Sequence, residues 1–273
     1  MNRADVTTHA IETGSSTSSR APRPAPAPAP LGQRILAHTR FETRILLSNG
    51  EQLMVAVLMP ALVLIGMRLL PVGRIGGIAP VDTAVCAAFA TAIISTSFTS
   101  QAIQTGFDRR YGVLRWIATT PLGRGGYLAG KILATLGIQI LQAILLGVIA
   151  VALGWRPDLL GVLSAIPVWL LGTAAFGALG LLVAGTLRTE GVLAVSNILF
   201  VLFVAVGGIA VPASSYPRML AGLVDLLPSG ALGALLRTCL AHTPFSVGSV
   251  LVLAAWAIGG VLAVVRWFRW TSV

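Results

Sequence analysis

The stretch Phe107–Lys131, FDRRYGVLRWIATTPLGRGGYLAGK, decides how the rest of the chain is oriented. Five cations, Arg109, Arg110, Arg115, Arg124 and Lys131, stand against one acid, Asp108, between two runs apolar enough to cross a bilayer. Lys and Arg collect near span ends on the cytoplasmic side, so this segment is expected in the cytoplasm. The spacing predicts a helix from about Asp108 to Ala118, with Tyr111, Leu114, Trp116, Ile117 and Ala118 interleaved among the arginines. Such a helix, cationic on one side and aromatic on the other, can lie in the membrane interface or seat in a groove of a partner protein. Thr119-Thr120-Pro121 ends it, because proline cannot continue a helix and restricts the residue before it. A solvated basic loop that simply follows the charge bias is the plainer alternative.

Composition agrees with a membrane setting. Of 273 residues 56 % are hydrophobic and 10 % charged, and the mean hydropathy is +0.87, far from soluble domains. The reading is an all-α polytopic membrane protein. A net charge of +10 raises the question of nucleic acid, but the cations are spread through loops and tails with no aromatic-rich soluble domain to hold bases. Anionic lipid headgroups and a partner protein are the expected counter-surfaces. Cys86 and Cys239 lack metal-ligand spacing and read as small buried residues.

Residues 1–30 are polar and then Pro-Ala rich, ending APRPAPAPAP, a composition expected to be a disordered cytoplasmic tail. No short apolar core with a cleavage site precedes Leu31, so no signal peptide is expected. From Leu31 to Gly50, apolar residues alternate with Arg34, Arg40 and Arg44 in a pattern suited to a helix lying flat in the interface, and Asn49-Gly50 supplies a turn. Apolar runs of about twenty residues, enough to cross roughly 30 Å of hydrocarbon, then predict six spans at about 52–71, 83–106, 128–153, 162–186, 191–211 and 246–267. Both termini fall on the cytoplasmic side. Fourteen of the nineteen cations lie inside in this topology and five outside, a bias that a shift by one helix would destroy. Trp155 at an outer boundary and Trp267 and Trp270 at an inner one suit interfacial anchors. Between the fifth and sixth spans, two pieces at about 216–227 and 229–241 flank Pro228. Each is too short to cross, and they read as external re-entrant or interfacial helices.

The central stretch resembles the first cytoplasmic loop of ABC-2 type permeases, the membrane subunits of ATP-binding cassette exporters of drugs, lipids or polysaccharides. The matching positions are Asp108-Arg109, Gly112, Leu114-Arg115, Thr120-Pro121 and Gly130-Lys131, with an aspartate where glutamate is commoner in the family. The resemblance covers residues 31–273 and implies one transmembrane domain after the tail at 1–30. It makes the helix at 31–50 the family's elbow helix and the Asp108 segment a coupling helix that fits a cleft of a separate ATPase subunit. The contact residues it implies are Asp108, Arg109, Arg110, Tyr111, Gly112, Leu114, Arg115, Trp116, Thr120 and Pro121. ATP and Mg would be bound by that partner, no cofactor by this chain, and a second permease copy, most simply a homodimer in the cytoplasmic membrane, would complete the path. Export of an amphipathic, drug-like or lipid-like molecule follows from the resemblance; a membrane scaffold without transport is the alternative, separable by a neighbouring ATP-binding cassette gene. Ala and Arg richness with the Pro-Ala tail points to a high-GC bacterial source.

The chemistry within the chain fits this assignment. None of the nine carboxylates falls in the middle of a predicted span, which disfavours a proton-coupled transporter or an intramembrane hydrolase. Gly125-Gly126 with Lys131 lacks the spacing and hydroxyl of a phosphate-binding loop. His9, His38 and His242 are far from one another in sequence and show no metal-ligand spacing, so no metal site is expected. The second span is hydroxylic: Ser97, Gln101 and Gln104 share one face with Ser100 beside them. They form a candidate substrate path, or else interhelical hydrogen bonds. Gln139, Gln142, Ser196 and Asn197 face the same choice, while Gly172, Gly177, Gly180 and Gly185 suit close helix packing.

Overall fold

A computed structural model describes residues 28–48, 50–69 and 73–269; residues 1–27 of the Pro-Ala tail and Trp270 lie outside the described residues. The described chain is all helical: α1 (Leu31–Ser48), α2 (Gly50–Leu69), α3 (Pro80–Ile94), a π-helical stretch at Ser95–Ser100, α4 (Gln101–Arg110), α5 (Val113–Thr119), α6 (Gly123–Ala152), α7 (Leu159–Thr186), α8 (Thr189–Ala205), α9 (Arg218–Leu226), α10 (Pro228–Ala241) and α11 (Val247–Trp267).

A helix stands at each of the six predicted span positions. Four are long and apolar enough to cross a membrane by themselves: Pro80–Arg110, α6, α7 and α11. The apolar part of α2, Ala56–Leu69, and the 17-residue α8 are shorter. The fifth predicted span reaches residue 211, yet the helix stops at Ala205. Gly208 adopts φ 79°, and a Cβ on Gly207 would come within 2.3 Å of both the Phe203 carbonyl and Ser229 Oγ. The backbone there turns to pack against α10, and no side chain fits between. As the two short pieces around Pro228 predicted, α9 and α10 are bent by 85° at their junction. Arg237 is buried and donates to the carbonyls of Gly208 at 3.1 Å and Ile209 at 2.8 Å, holding the turn that follows α8.

The second predicted span is the central pole. In its most apolar stretch 83 % of residues are buried inside the protein, against 33 % for α6 and α7 and 22 % for α11. Phe98 on its π-helical stretch meets Phe203 edge-on at 5.8 Å, and Phe203 meets Phe176 at 5.4 Å. α7 approaches so closely that a Cβ on Gly180 would lie 2.7 Å from the Phe98 carbonyl, so glycine is required there. π-Helical turns disturb the regular hydrogen-bond ladder. Here Thr96 Oγ1 donates to the Ala92 carbonyl at 2.6 Å and Ser97 to that of Ile93, so side-chain hydroxyls occupy two of the carbonyls along the stretch.

Candidate functional site

The helix expected from Asp108 to Ala118 is in fact two helices. α4 ends at Arg110, and Gly112 takes φ 74° and ψ 7°, the left-handed conformation that glycine adopts without penalty. The amides of Tyr111 and Gly112 close the end of α4 on the carbonyls of Phe107 and Arg109, and the Gly112 carbonyl then accepts from Arg115 and Trp116 to start α5. Thr119 and Thr120 hydroxyls donate to the carbonyls of Trp116 and Ile117, both at 2.7 Å, and Thr120 turns extended before Pro121.

The break sorts the predicted contact residues into two groups. Leu114 and Ile117 point inward and pack with the fully buried Tyr127, so Leu114 belongs to the chain's own core rather than to an outer face. Arg109 is also turned inward, donating to the Leu187 carbonyl and holding the α7–α8 connection. Arg110 pairs with Glu190 at 2.7 Å on the surface. Outward stand Tyr111, 73 % exposed, Trp116, 69 % exposed, and Arg115, with Thr119 and Pro121 beyond them. The Tyr111 ring stacks on Phe107 at 6.0 Å, which limits its freedom.

Behind this surface lies an ionic cluster that sequence reading missed. Lys131 Nζ, on a residue 3 % exposed, is 2.8 Å from Asp108 Oδ2 and 3.2 Å from Glu42 Oε2. Tyr127 donates its hydroxyl to the same Asp108 oxygen at 2.6 Å, and Lys131 sits 5.4 Å from the Tyr127 ring centre. His38 Nε2 is 3.5 Å from Glu42 Oε1, and its ring lies against Gly130, where a Cβ would approach to 2.5 Å. Burial holds His38 below its ordinary pKa, against the opposing pull of Glu42. The cluster fastens α1, α4 and α6 together, and Arg34 of α1 adds a hydrogen bond to the Pro121 carbonyl at the end of α5. One signal was present: Lys131 is the only lysine in a chain whose other cations are all arginine. Its compact ammonium sits between the two carboxylates as a point charge.

Beside the cluster a cavity of about 1450 Å³ opens between α1 and the α4–α5 turn. Phe41, Ile103, Phe107 and Trp116 give it an apolar wall, and Ser100, Gln104 and Asn197 a polar one. The predicted polar face of the second span therefore divides. Gln101 donates to Thr135 and to the Lys131 carbonyl, and Ser97 accepts from Gln139 at 3.2 Å, which places both in the contact with α6. Ser100 and Gln104 reach the cavity.

Compared with known families, residues 33–240 match the ABC-2 type transporter family. The chain belongs to that family. No curated protein matches it. As an ABC-2 member it is the membrane permease of an ATP-binding cassette transporter and a multi-pass membrane protein, and its family implies association with an ATP-binding cassette component. The matched region takes in α1, the Asp108–Lys131 segment and the α9–α10 pair, leaving α11 beyond it.

Proposed function

We propose that this ABC-2 permease is an exporter subunit of the cytoplasmic membrane. In this reading six spans and an interfacial elbow helix, α1, place both termini in the cytosol, and two copies pair to enclose the path. α5 is the coupling helix, docking in a cleft of an ATPase that carries ATP and Mg. Closure of the ATPase pair would push α5, and the rigid cluster behind it would carry the push to α1, α4 and α6. The cavity between α1 and α4, apolar on one wall and polar on the other, would admit an amphipathic drug-like or lipid-like substrate, with Ser100 and Gln104 along its route.

One observation carries the reading: α5 is set off by a left-handed glycine, anchored inward by Leu114 and Ile117, and presents Arg115 and Trp116 outward, both exposed. Buried aromatic and arginine anchors dominate protein interfaces. Arg115→Glu combined with Trp116→Ala should cut co-purification of the co-expressed ATPase about tenfold or more, while membrane insertion stays unchanged. Arg109 is unsuitable for this test because it holds Leu187. Retained ATPase binding in the double variant would remove α5 as the docking element.

A further inference from the structure

A second cavity, of about 630 Å³, lies away from the first, between α3, α6, α7 and α10. Ile144 and Val148 of α6 and Ile166 of α7 form its margins and are themselves exposed, so it is continuous with the lipid-facing surface. Two buried amides reach it, and they differ in one respect. The Gln139 carboxamide is fully used: its nitrogen donates to Thr96 at 3.1 Å and Ser97 at 3.2 Å, and its oxygen accepts from Trp169 at 2.8 Å and Thr173 at 2.9 Å. Gln142, 1 % exposed, donates from Nε2 to the Ala56 carbonyl at 2.6 Å, but its Oε1 has no partner among the described residues. A carbonyl can only accept, so the atom facing Ala56 is the nitrogen and the unmatched atom is the oxygen.

A buried acceptor without a donor is costly. A lone water would need two or more polar partners to stay in an apolar groove, and Gln139 has none to spare. A donor carried on an apolar chain meets both requirements. Gln142 lies ten residues before the end of α6 at Ala152, about 15 Å along the helix, and the groove runs on to Trp155 and Pro157 at that end. We propose that this groove binds a lipid whose headgroup sits at the Trp155 boundary and whose hydrocarbon chain carries a hydroxyl partway down, donating to Gln142 Oε1. The site is independent of the cavity beside α5.

The test uses the full chain in nanodiscs of phosphatidylcholine holding equal amounts of oleoyl and ricinoleoyl species, the second differing by one mid-chain hydroxyl. Lipids retained after mild detergent extraction are measured by mass spectrometry. Ricinoleoyl chains should be enriched about fivefold over the bulk ratio, the factor one hydrogen bond to a neutral amide supplies. Gln142→Leu should return the ratio to bulk while the amount of bound lipid holds. Gly147→Leu projects into the open groove, since a Cβ there meets nothing within 4 Å, and should remove one retained lipid and the enrichment with it. A bulk ratio in the unmodified protein overturns the proposal, as does enrichment that survives either variant. Should Gln142→Leu not fold, the unmodified protein and Gly147→Leu decide the matter.

Discussion

Replacing Lys131 with methionine tests whether the cluster behind α5 is a single mechanical unit. Methionine keeps most of the side-chain length and removes only the charge. Two carboxylate oxygens held 2.8 and 3.2 Å from one nitrogen lie within about 6 Å of each other. At an effective dielectric of about 20, two bare charges at that separation repel by about 3 kcal/mol, in line with the 3–5 kcal/mol typical of breaking a buried pair from one side. Asp108 keeps a quarter of its side chain exposed, so solvent relieves part of this and the lower end is expected. Reversible unfolding in mixed micelles, titrated with SDS and followed by circular dichroism, should show Lys131→Met less stable by about 3 kcal/mol. The decisive measurement is the second step. Glu42→Gln in the Lys131→Met background removes the repulsion and should recover about 2 kcal/mol, whereas Glu42→Gln alone should destabilise. If the two losses simply add, the residues act independently and the cluster does not bind α1 to α4 and α6.

Three further outcomes follow from local geometry. Gly112→Val should cost about 1–2 kcal/mol from the left-handed backbone alone, with no steric clash, and Gly112→Asn clearly less, read by the same titration. Gly180→Ala forces a methyl group against the Phe98 carbonyl and should cost about 1–3 kcal/mol, while Gly137→Ala in α6, with nothing within 4 Å, should be neutral or stabilising by up to about 1 kcal/mol. His38 has its folded pKa pushed down, so on acidification the unfolded chain takes up the proton first. Stability should therefore be flat well above about pH 6.5 and fall as pH drops through it, and His38→Gln should flatten that fall.

Much of the architecture was legible in the sequence because hydrophobic run length is a direct readout of helix position in lipid. All six predicted spans have helices, and Pro228 marked the sharp bend between α9 and α10. What failed were the points where one residue's backbone freedom outweighs periodicity. Apolar spacing continued across Gly112, so a single helix was predicted, yet a glycine directly after a basic helix end is the usual left-handed terminator. The fifth helix is shortened by the left-handed Gly208 and by Gly207, where no side chain fits.

The site was harder to read because its partners come from separate helices. His38 with Glu42 and Tyr127 with Lys131 are each visible as neighbours one turn apart, but nothing local says that the two pairs meet through Lys131 and Glu42 and take in Asp108. The hydroxylic face shows the same gap at finer scale. Ser97 with Gln101, and Ser100 with Gln104, are two stripes spaced by four residues on adjoining sides of one helix. Periodicity makes them equivalent, and only the position of α6 separates them. One stripe bonds Gln139 and Thr135 of α6, and the other lines the cavity. Ser100 and Gln104 thus line the cavity, while Ser97 and Gln101 hold the second predicted span against α6.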